Sequence, residues 1–452
     1  MASSGRVVIT GMGALCNIGS NLDEVWNNAL KSKSNVSEIP ERWRLFNDFR
    51  CNIWAPLADI DYAKNGVTKS HLMKADLVTI HQYISVKEAL LHAGFTFSQG
   101  DSKRAYKINE LADTQRVGVY MGTAVGGVNT AFNNHSKLLL GKNKKILNTS
   151  LDETQKRMLN FEDWKTPRKL TPFAIPMLMS NAVSAFIGIQ FSLNGPNHTT
   201  DLACAAGASA ILNACQAIQS GAIDLALTGG SEYLNDDYGA SFKGFDVSGT
   251  LTQHSGDMKA ANRPFDNKRS GFLLSEGGAG ALVLESYEHA VARKATIYAE
   301  IVGYGNTFDA YSMMQPDPSG AQGQVAIEQA LTMAGIKPAD INYINAHGTG
   351  TLSGDEAESN LIARLFGNKP SVVSTKALTG HSIGASGAIE AIVCTKTLYH
   401  SETHGMPNLA DPINDLNYAI EPQKINAIYG LTQSFAFGGH NITLVLKRWD
   451  DS

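Results

Sequence analysis

Apolar residues along this chain fall into short continuous runs, separated by longer stretches with helical spacing. Residues 7–10, 117–121, 225–228, 298–302, 341–345 and 372–374 are rich in Val, Ile and Leu and end in small or polar residues. A strand that is apolar on both sides is covered on both sides, so these runs predict a buried parallel or mixed sheet flanked by helices, an α/β protein. Two predicted strands echo each other: Gly277-Gly278 precedes Leu282-Val283-Leu284, and Gly438-Gly439 precedes Leu444-Val445-Leu446. The echo is a trace of internal duplication and places a candidate boundary near Arg293, where a charged stretch precedes the next strand. Residues 31–74 and 129–169 are more polar and less periodic and read as surface excursions. The basic run Lys142-Asn143-Lys144-Lys145 in the second reads as a solvated face.

Composition narrows the class. Of 452 residues, 38 are Lys or Arg and 42 Asp or Glu, a formal charge of −4, and charged residues make up only 18% of the chain against about 25% in ordinary soluble domains. With 42 glycines and 43% hydrophobic residues, this predicts a compact protein rich in tight turns and expected to be oligomeric. The balance of charge gives no electrostatic footprint for nucleic acid, and no run approaches the ~18 apolar residues of a membrane span. The start, Met1-Ala-Ser-Ser-Gly-Arg6, lacks the apolar core of a secretion signal. Five scattered cysteines, with no Cys-x-x-Cys and no zinc-like His/Cys spacing, argue against a disulfide framework or a structural metal and fit a reducing, cytoplasmic setting. No cofactor is expected.

Candidate chemistry lies in four segments. In Thr199-Thr200-Asp201-Leu202-Ala203-Cys204-Ala205-Ala206-Gly207-Ala208, a short strand runs into Cys204 and then into a small-residue helix. That places the thiol near a helix N-terminus, where unpaired N–H groups favour the thiolate, and lets another backbone or an acyl chain come close. Asn345-Ala346-His347-Gly348-Thr349-Gly350-Thr351 follows an apolar strand, as does Ser374-Thr375-Lys376, which leads through Gly380-His381-Ser382 to Glu390. Loops at strand ends are where binding and catalytic groups tend to sit. Ser434-Phe435-Ala436-Phe437-Gly438-Gly439-His440-Asn441 offers backbone N–H groups for an anion. One Cys and two His without a metal set suggest acyl transfer through a thioester, with the imidazoles handling protons or donating to an oxyanion. A cysteine protease is the rival, since His347 follows Cys204 at close to papain-like spacing, but the Cys-Gly-Ser-Cys-Trp context is missing and His381 and Lys376 would have no role.

Together these segments resemble the β-ketoacyl-acyl carrier protein synthases, condensing enzymes of the thiolase superfamily, most closely the elongating type II kind. The resemblance runs from Arg6-Val7-Val8-Ile9-Thr10-Gly11-Met12-Gly13 through Gly195-Pro196-Asn197 and Arg263-Pro264-Phe265-Asp266 to the Gly-Gly-His-Asn loop. It implies a thiolase-like α/β fold of two pseudo-repeated halves in an αβαβα sandwich, residues 1–293 carrying Cys204 and 294–452 carrying the histidines and the Phe loop. It also implies a homodimer or a ketosynthase-type heterodimer, and an acyl carrier protein as partner. Carried over, Cys204 accepts the acyl chain, and His347 and His381 bind the malonyl thioester and stabilise its enolate after CO₂ loss. The N–H groups of Cys204 and Phe437 hold the oxyanion, and Phe437 gates malonyl entry. Lys376 and Glu390 form a supporting ion pair, Thr349 and Thr351 bind the pantetheine arm, and Val125 and Phe435 shape the acyl pocket, Val125 from a dimer-interface position.

The chain departs from the family pattern at Ala436 and His440 in the gating loop, at Leu202 and Ser270, and at Met73 within the basic docking region 69–74. Ala436 implies a stiffer gate than the usual Gly, and Met73 weakens the expected carrier-docking patch. Two alternatives have distinct signatures. A non-catalytic, chain-length-setting partner subunit typically loses the nucleophile, and a non-decarboxylating thiolase needs a second cysteine near the C-terminus, for which Cys394, inside a predicted helix, is badly placed. Primary fatty acid synthesis and a specialised polyketide or polyene pathway both fit the motifs, with the altered loop and longer chain leaning to the latter.

Overall fold

The computed structural model describes residues 5–100, 105–158 and 170–450. The start of the chain, the Lys142 side chain and the end of the second polar excursion lie outside them. Ten strands form one mixed sheet: β1 (Val7–Leu15), β2 (Val117–Gly122), β3 (Asn197–Thr200), β4 (Leu225–Tyr233), β5 (Gly277–Ser286), β6 (Ala299–Phe308), β7 (Ile341–Asn345), β8 (Ser371–Val373), β9 (Tyr429–Ala436) and β10 (His440–Arg448). Every run singled out by its apolar pattern lies on one of them. The order across the sheet is β8-β7-β9-β10-β6-β1-β5-β4-β2-β3, with β1 and β6 antiparallel at the central seam.

Outward from that seam each half follows the same winding: first, fifth, fourth, second, third strand. Strand directions repeat as well, since β2 runs parallel to β3 and β4, and β7 parallel to β8 and β9. Even an irregularity is duplicated: the β1–β5 register shifts between Ile9 and Gly11, and the β6–β10 register between Ile301 and Gly303. The Leu-Val-Leu part of the echo falls on the equivalent strands β5 and β10, with Gly277-Gly278 opening β5 and Gly438-Gly439 in the turn before β10.

Each half contributes three principal helices: α1 (Leu77–His92), α2 (Ala182–Gln190) and α3 (Ala206–Gln219) in the first, α4 (Ala321–Ala334), α5 (Leu352–Phe366) and α6 (Ser386–His400) in the second. The stretch after Gly127, unperiodic as sequence, is also helical, over Val128–Lys142 and Lys144–Ser150. Among the described residues no helix is long and apolar enough to cross a membrane. Helices α3 and α6, buried along most of their length, each touch strands of both halves, while α1 covers β1, β5 and β4 and α4 covers β6 and β10. The layers therefore run helix, half-sheet, helix, half-sheet, helix.

Close approach between layers requires missing side chains. A Cβ on Gly305 of β6 would land on the Ala326 carbonyl oxygen of α4. Where α3 meets α6, a Cβ on Gly387 would lie 2.9 Å from the Cβ of Ala208, and one on Gly207 would lie 3.0 Å from the Ala388 nitrogen.

Gly305→Ala is expected to lower stability by ~2 kcal/mol or more, because the strand and helix must separate. Gly244→Ala, in the short helix Ala240–Val247 with nothing within 4 Å, is expected to raise it by ~0.5–1 kcal/mol. Thermal denaturation of both variants checks the contrast.

Candidate active site

Strand β3 ends at Thr200, and the chain turns through Ala203–Ala205 into α3. Ala203 has φ +44°, a left-handed conformation uncommon outside glycine, and this elbow delivers Cys204 to the start of the helix. The second half repeats the device: Ile383 has φ +46°, followed by Gly384, Ala385 and α6. Because α3 and α6 lie against each other, the two elbows face. Cys204 and His381, 177 residues apart in sequence, thus meet with Sγ 3.0 Å from Nε2.

Both imidazoles are held from behind. His381 Nδ1 accepts the Ile383 N–H at 3.3 Å and lies 3.0 Å from the Ser386 hydroxyl, which itself accepts the Ser382 N–H. His347 follows β7, and its Nδ1 lies 3.1 Å from the Lys376 ammonium. Lys376 also donates to the His347 carbonyl at 2.8 Å and to a Glu390 carboxylate oxygen, and this ion pair is fully buried. A nitrogen that accepts a hydrogen bond carries no proton in the neutral ring. Each ring therefore presents its Nε2–H to the site, provided it stays neutral. Burial first and Lys376 second hold both histidines well below their usual range, with His381 adding to the effect on His347.

The thiol is where sequence and structure diverge. Burial pushes Cys204 up to about 11. Lys376 and the backbone N–H groups of Phe437 and Cys204 pull it down, and Glu232 adds a smaller upward push. The N–H groups expected at the helix start are present, but desolvation outweighs them. Ligand atoms of Cys204, His347 and His381 all lie within 4.8 Å of one another, close enough for a metal site. The donor set does not suit one, since both Nδ1 atoms are taken by N–H donors and both Nε2 atoms keep their protons.

A cavity of about 320 Å³ opens on this group. It runs from the thiol past Thr349 and Thr351, whose hydroxyls lie 3.0 Å apart, to Met314 and Leu352 at the exposed mouth. Phe435, Ala436 and Phe437 line its other wall, with the Phe435 ring edge-on to His347. In the turn between β9 and β10, Ala436 and His440 are paired, and Gly438 and Gly439 both have positive φ, +85° and +88°.

Two family descriptions account for most of the chain: beta-ketoacyl synthase N-terminal domain over residues 4–290, and beta-ketoacyl synthase C-terminal domain over residues 298–410. This chain belongs to the β-ketoacyl synthase family. It is similar to the 3-oxoacyl-[acyl-carrier-protein] synthase 2 of Staphylococcus aureus (strain COL), at 34% identity with 100% of each chain covered. Among solved structures it is similar to a beta-ketoacyl synthase from Burkholderia phymatum, with TM-score 0.83 and 30% identity over 99% of this chain and 100% of that one. It is also similar to AntDE:AntF, a type II PKS acyl-carrier protein in complex with its ketosynthase bound to the hexaketide, with TM-score 0.81 and 26% identity over 99% of this chain and 100% of that one.

In this β-ketoacyl synthase the structure brings together Cys204, His347, His381, Lys376, Glu390, Thr349, Thr351, Phe435 and Phe437. Val125 stands apart: it is 45% exposed and is absent from the cavity wall of the single chain. Four positions that sequence reading passed over also shape the site. Glu358 on α5 accepts the N–H groups of His347 and Gly348, both at 2.7 Å, and Asp355, one turn earlier, accepts those of Gly350 and Phe265. Ser386 backs His381, and the Phe272 ring packs edge-on against it at 5.2 Å. Asp355 and Glu358, spaced i, i+3 just after a Gly/Thr loop, were the available signal for the first two.

Alkylation of Cys204 by iodoacetamide is expected to keep accelerating between ~pH 7 and ~pH 10, because the thiolate fraction grows toward a raised pKa. Lys376→Met is expected to slow it about tenfold at ~pH 8 by removing the charge that favours the thiolate. Rates followed by mass of the Cys204 peptide check both, and a plateau below neutral pH would contradict the first.

Proposed function

We propose that this chain is an elongating 3-oxoacyl-[acyl carrier protein] synthase. The observation that carries the reading is the convergence of one thiol with two neutral imidazoles, each aiming an Nε2–H at the same small volume. The Cys204 thiolate attacks the carbonyl carbon of an acyl thioester. The oxyanion rests on the N–H groups of Cys204 and Phe437, the C–S bond to the carrier breaks, and the carrier thiol leaves with the proton. A malonyl thioester then enters past Thr349 and Thr351. Its carboxylate leaves as CO₂, and the electron pair of the broken C–C bond forms an enolate whose oxygen takes both Nε2–H bonds. The enolate carbon attacks the acyl-Cys204 carbonyl, a C–C bond forms, the C–S bond to Cys204 breaks, and the 3-ketoacyl thioester departs on the carrier.

The Lys376–Glu390 pair serves this chemistry at one remove, since its ammonium fixes the His347 ring and favours charge on the thiol. Phe437 acts as the gate, with its freedom at Gly438 and Gly439 rather than at Ala436. The carrier docks by its acidic surface beside the short helix Lys69–Lys74, where Met73 is 61% exposed among the lysines. A second subunit, identical or of the same family, covers the free edge of β3 and the nearby apolar side chains Val125, Ile175, Met179 and Ile189, all exposed. Val125 then reaches an acyl pocket completed by the partner. The chain is one duplicated unit dividing near Arg293, and a cytoplasmic setting keeps its five free cysteines reduced.

Cys204→Ala is expected to abolish condensation between acyl-primed and malonyl-loaded carrier protein. His347→Ala and His381→Ala are each expected to cut malonyl decarboxylation by ~10²-fold or more. Turnover unchanged in Cys204→Ala, measured by product mass on the carrier, sinks the proposal. The mass trapped on wild-type Cys204 from mixed acyl carriers identifies the chain length.

A further inference from the structure

The duplication allows the two elbows to be compared residue by residue. Leu282-Val283-Leu284 and Leu444-Val445-Leu446 hold the same register across β1 and β6, with the same shift beside them. Following β5 and β10 back from there makes Gly278 equivalent to His440. Their ladder partners, Glu232 on β4 and Ala436 on β9, are therefore equivalent too, as are the elbow residues Gly384 and Cys204. In the second half the residue after Ala436, Phe437, aims its N–H at Cys204. In the first half the Glu232 side chain reaches the other elbow instead.

Glu232 is fully buried, and nothing in the condensing reading uses it. One carboxylate oxygen accepts the Ala124 N–H at 2.8 Å and the Gly384 N–H at 3.3 Å, and the other accepts the Thr123 hydroxyl at 3.3 Å. A Cβ on Gly384 would lie 2.7 Å from that first oxygen, so the carboxylate sits directly on the elbow. It thereby takes the Gly384 N–H, the counterpart of the Cys204 N–H, while its second N–H donor is Ala124 in place of Tyr233, the counterpart of Phe437.

The residue before Gly384 is Ile383, β-branched and at positive φ, a conformation that persists only where surroundings impose it. Its N–H is the donor that keeps the proton off His381 Nδ1. We infer that Glu232 is a positioning residue for the condensation: by tying the Gly384 N–H to the Ala124 N–H and the Thr123 hydroxyl it locks the Ile383–Gly384 elbow, and so sets His381 with Nε2–H toward Cys204.

This rests on the condensing reading, and the test keeps the two apart by measuring Cys204 alkylation alongside turnover. At ~pH 9, above the value of about 8 to which burial raises the Glu232 carboxyl, Glu232→Gln keeps one acceptor oxygen for the Ala124 and Gly384 N–H groups but sets an NH₂ in place of an ionised oxygen against the Thr123 hydroxyl. It is expected to cut kcat per titratable Cys204 by about tenfold or more with little change in the malonyl KM, and to slow iodoacetamide alkylation severalfold, because loss of the His381 Nε2–H donor outweighs removal of the smaller upward push that Glu232 exerts on the thiol. Thr123→Val, which removes the hydroxyl donor to Glu232 and with it the acceptor of the Gly126 N–H, is expected to show the same pattern at about two- to threefold. Equal per-site alkylation and equal kcat in Glu232→Gln and wild type, whatever the melting temperature, overturn the assignment. If Glu232→Gln does not fold, wild-type rates in Thr123→Val overturn it. A wild type that is alkylated but never condenses counts against the condensing reading, and alkylation in Thr123→Val, which leaves the Glu232 charge in place, still decides the role of Glu232.

Discussion

Everything at the site depends on how closely α3 and α6 can lie together. Their contact runs through Gly207, Ala208, Gly387 and Ala388, and it brings two strand-to-helix elbows from opposite halves face to face. A side chain at Gly387 would meet Ala208 at 2.9 Å, push the helices apart and lengthen the 3.0 Å contact between His381 and the thiol. The small residues after Cys204 thus serve helix packing first. Nearness of thiol and imidazole is a product of the layer spacing, with neither loop needing to adapt.

On that frame a single buried ammonium organises the electrostatics. Lys376 holds the His347 ring and carbonyl, pairs with Glu390, depresses both histidines and opposes the desolvation of Cys204. A buried charge of this kind is unfavourable by itself, and burial lifts Glu390 against the pull of its partner. In the proposed condensation the ammonium's field acts on the reacting groups. Two neutral N–H donors facing a thiol stabilise negative charge that develops during reaction without having to reorganise for it.

Sequence reading recovered β1, β2, β4 and β7 from apolar runs because both of their faces are covered, whereas β3, Asn-His-Thr-Thr and exposed to half-buried, was read only from its place before Cys204. The same reading singled out Cys204, His347 and His381, which the structure brings together, because each follows a strand beside glycines or small residues that admit a ligand. It did not reveal which carboxylates hold the His347 loop, since Glu358 and Asp355 look like ordinary polar positions on an amphipathic helix until the loop is seen folded over them. Nor could letters weigh helix-end N–H groups against desolvation at Cys204, because burial is a property of the assembled layers. The departure at Ala436 is legible in the letters, yet its consequence depends on the pairing with His440 and the two left-handed glycines that follow.

The antiparallel seam between β1 and β6 bears on how the chain is made. β1 opens the chain, and one of its two ladder partners, β5, belongs to its own half, while the other, β6, starts the second half. While the ribosome extends the polypeptide, the first half can collapse with β1 as an unprotected strand edge, one that is buried throughout its length in the finished fold. Such an edge is a template for pairing with the wrong chain. Synthesis of β6 closes it early in the second half, so the order of elements limits how long a nascent chain remains open to misassembly.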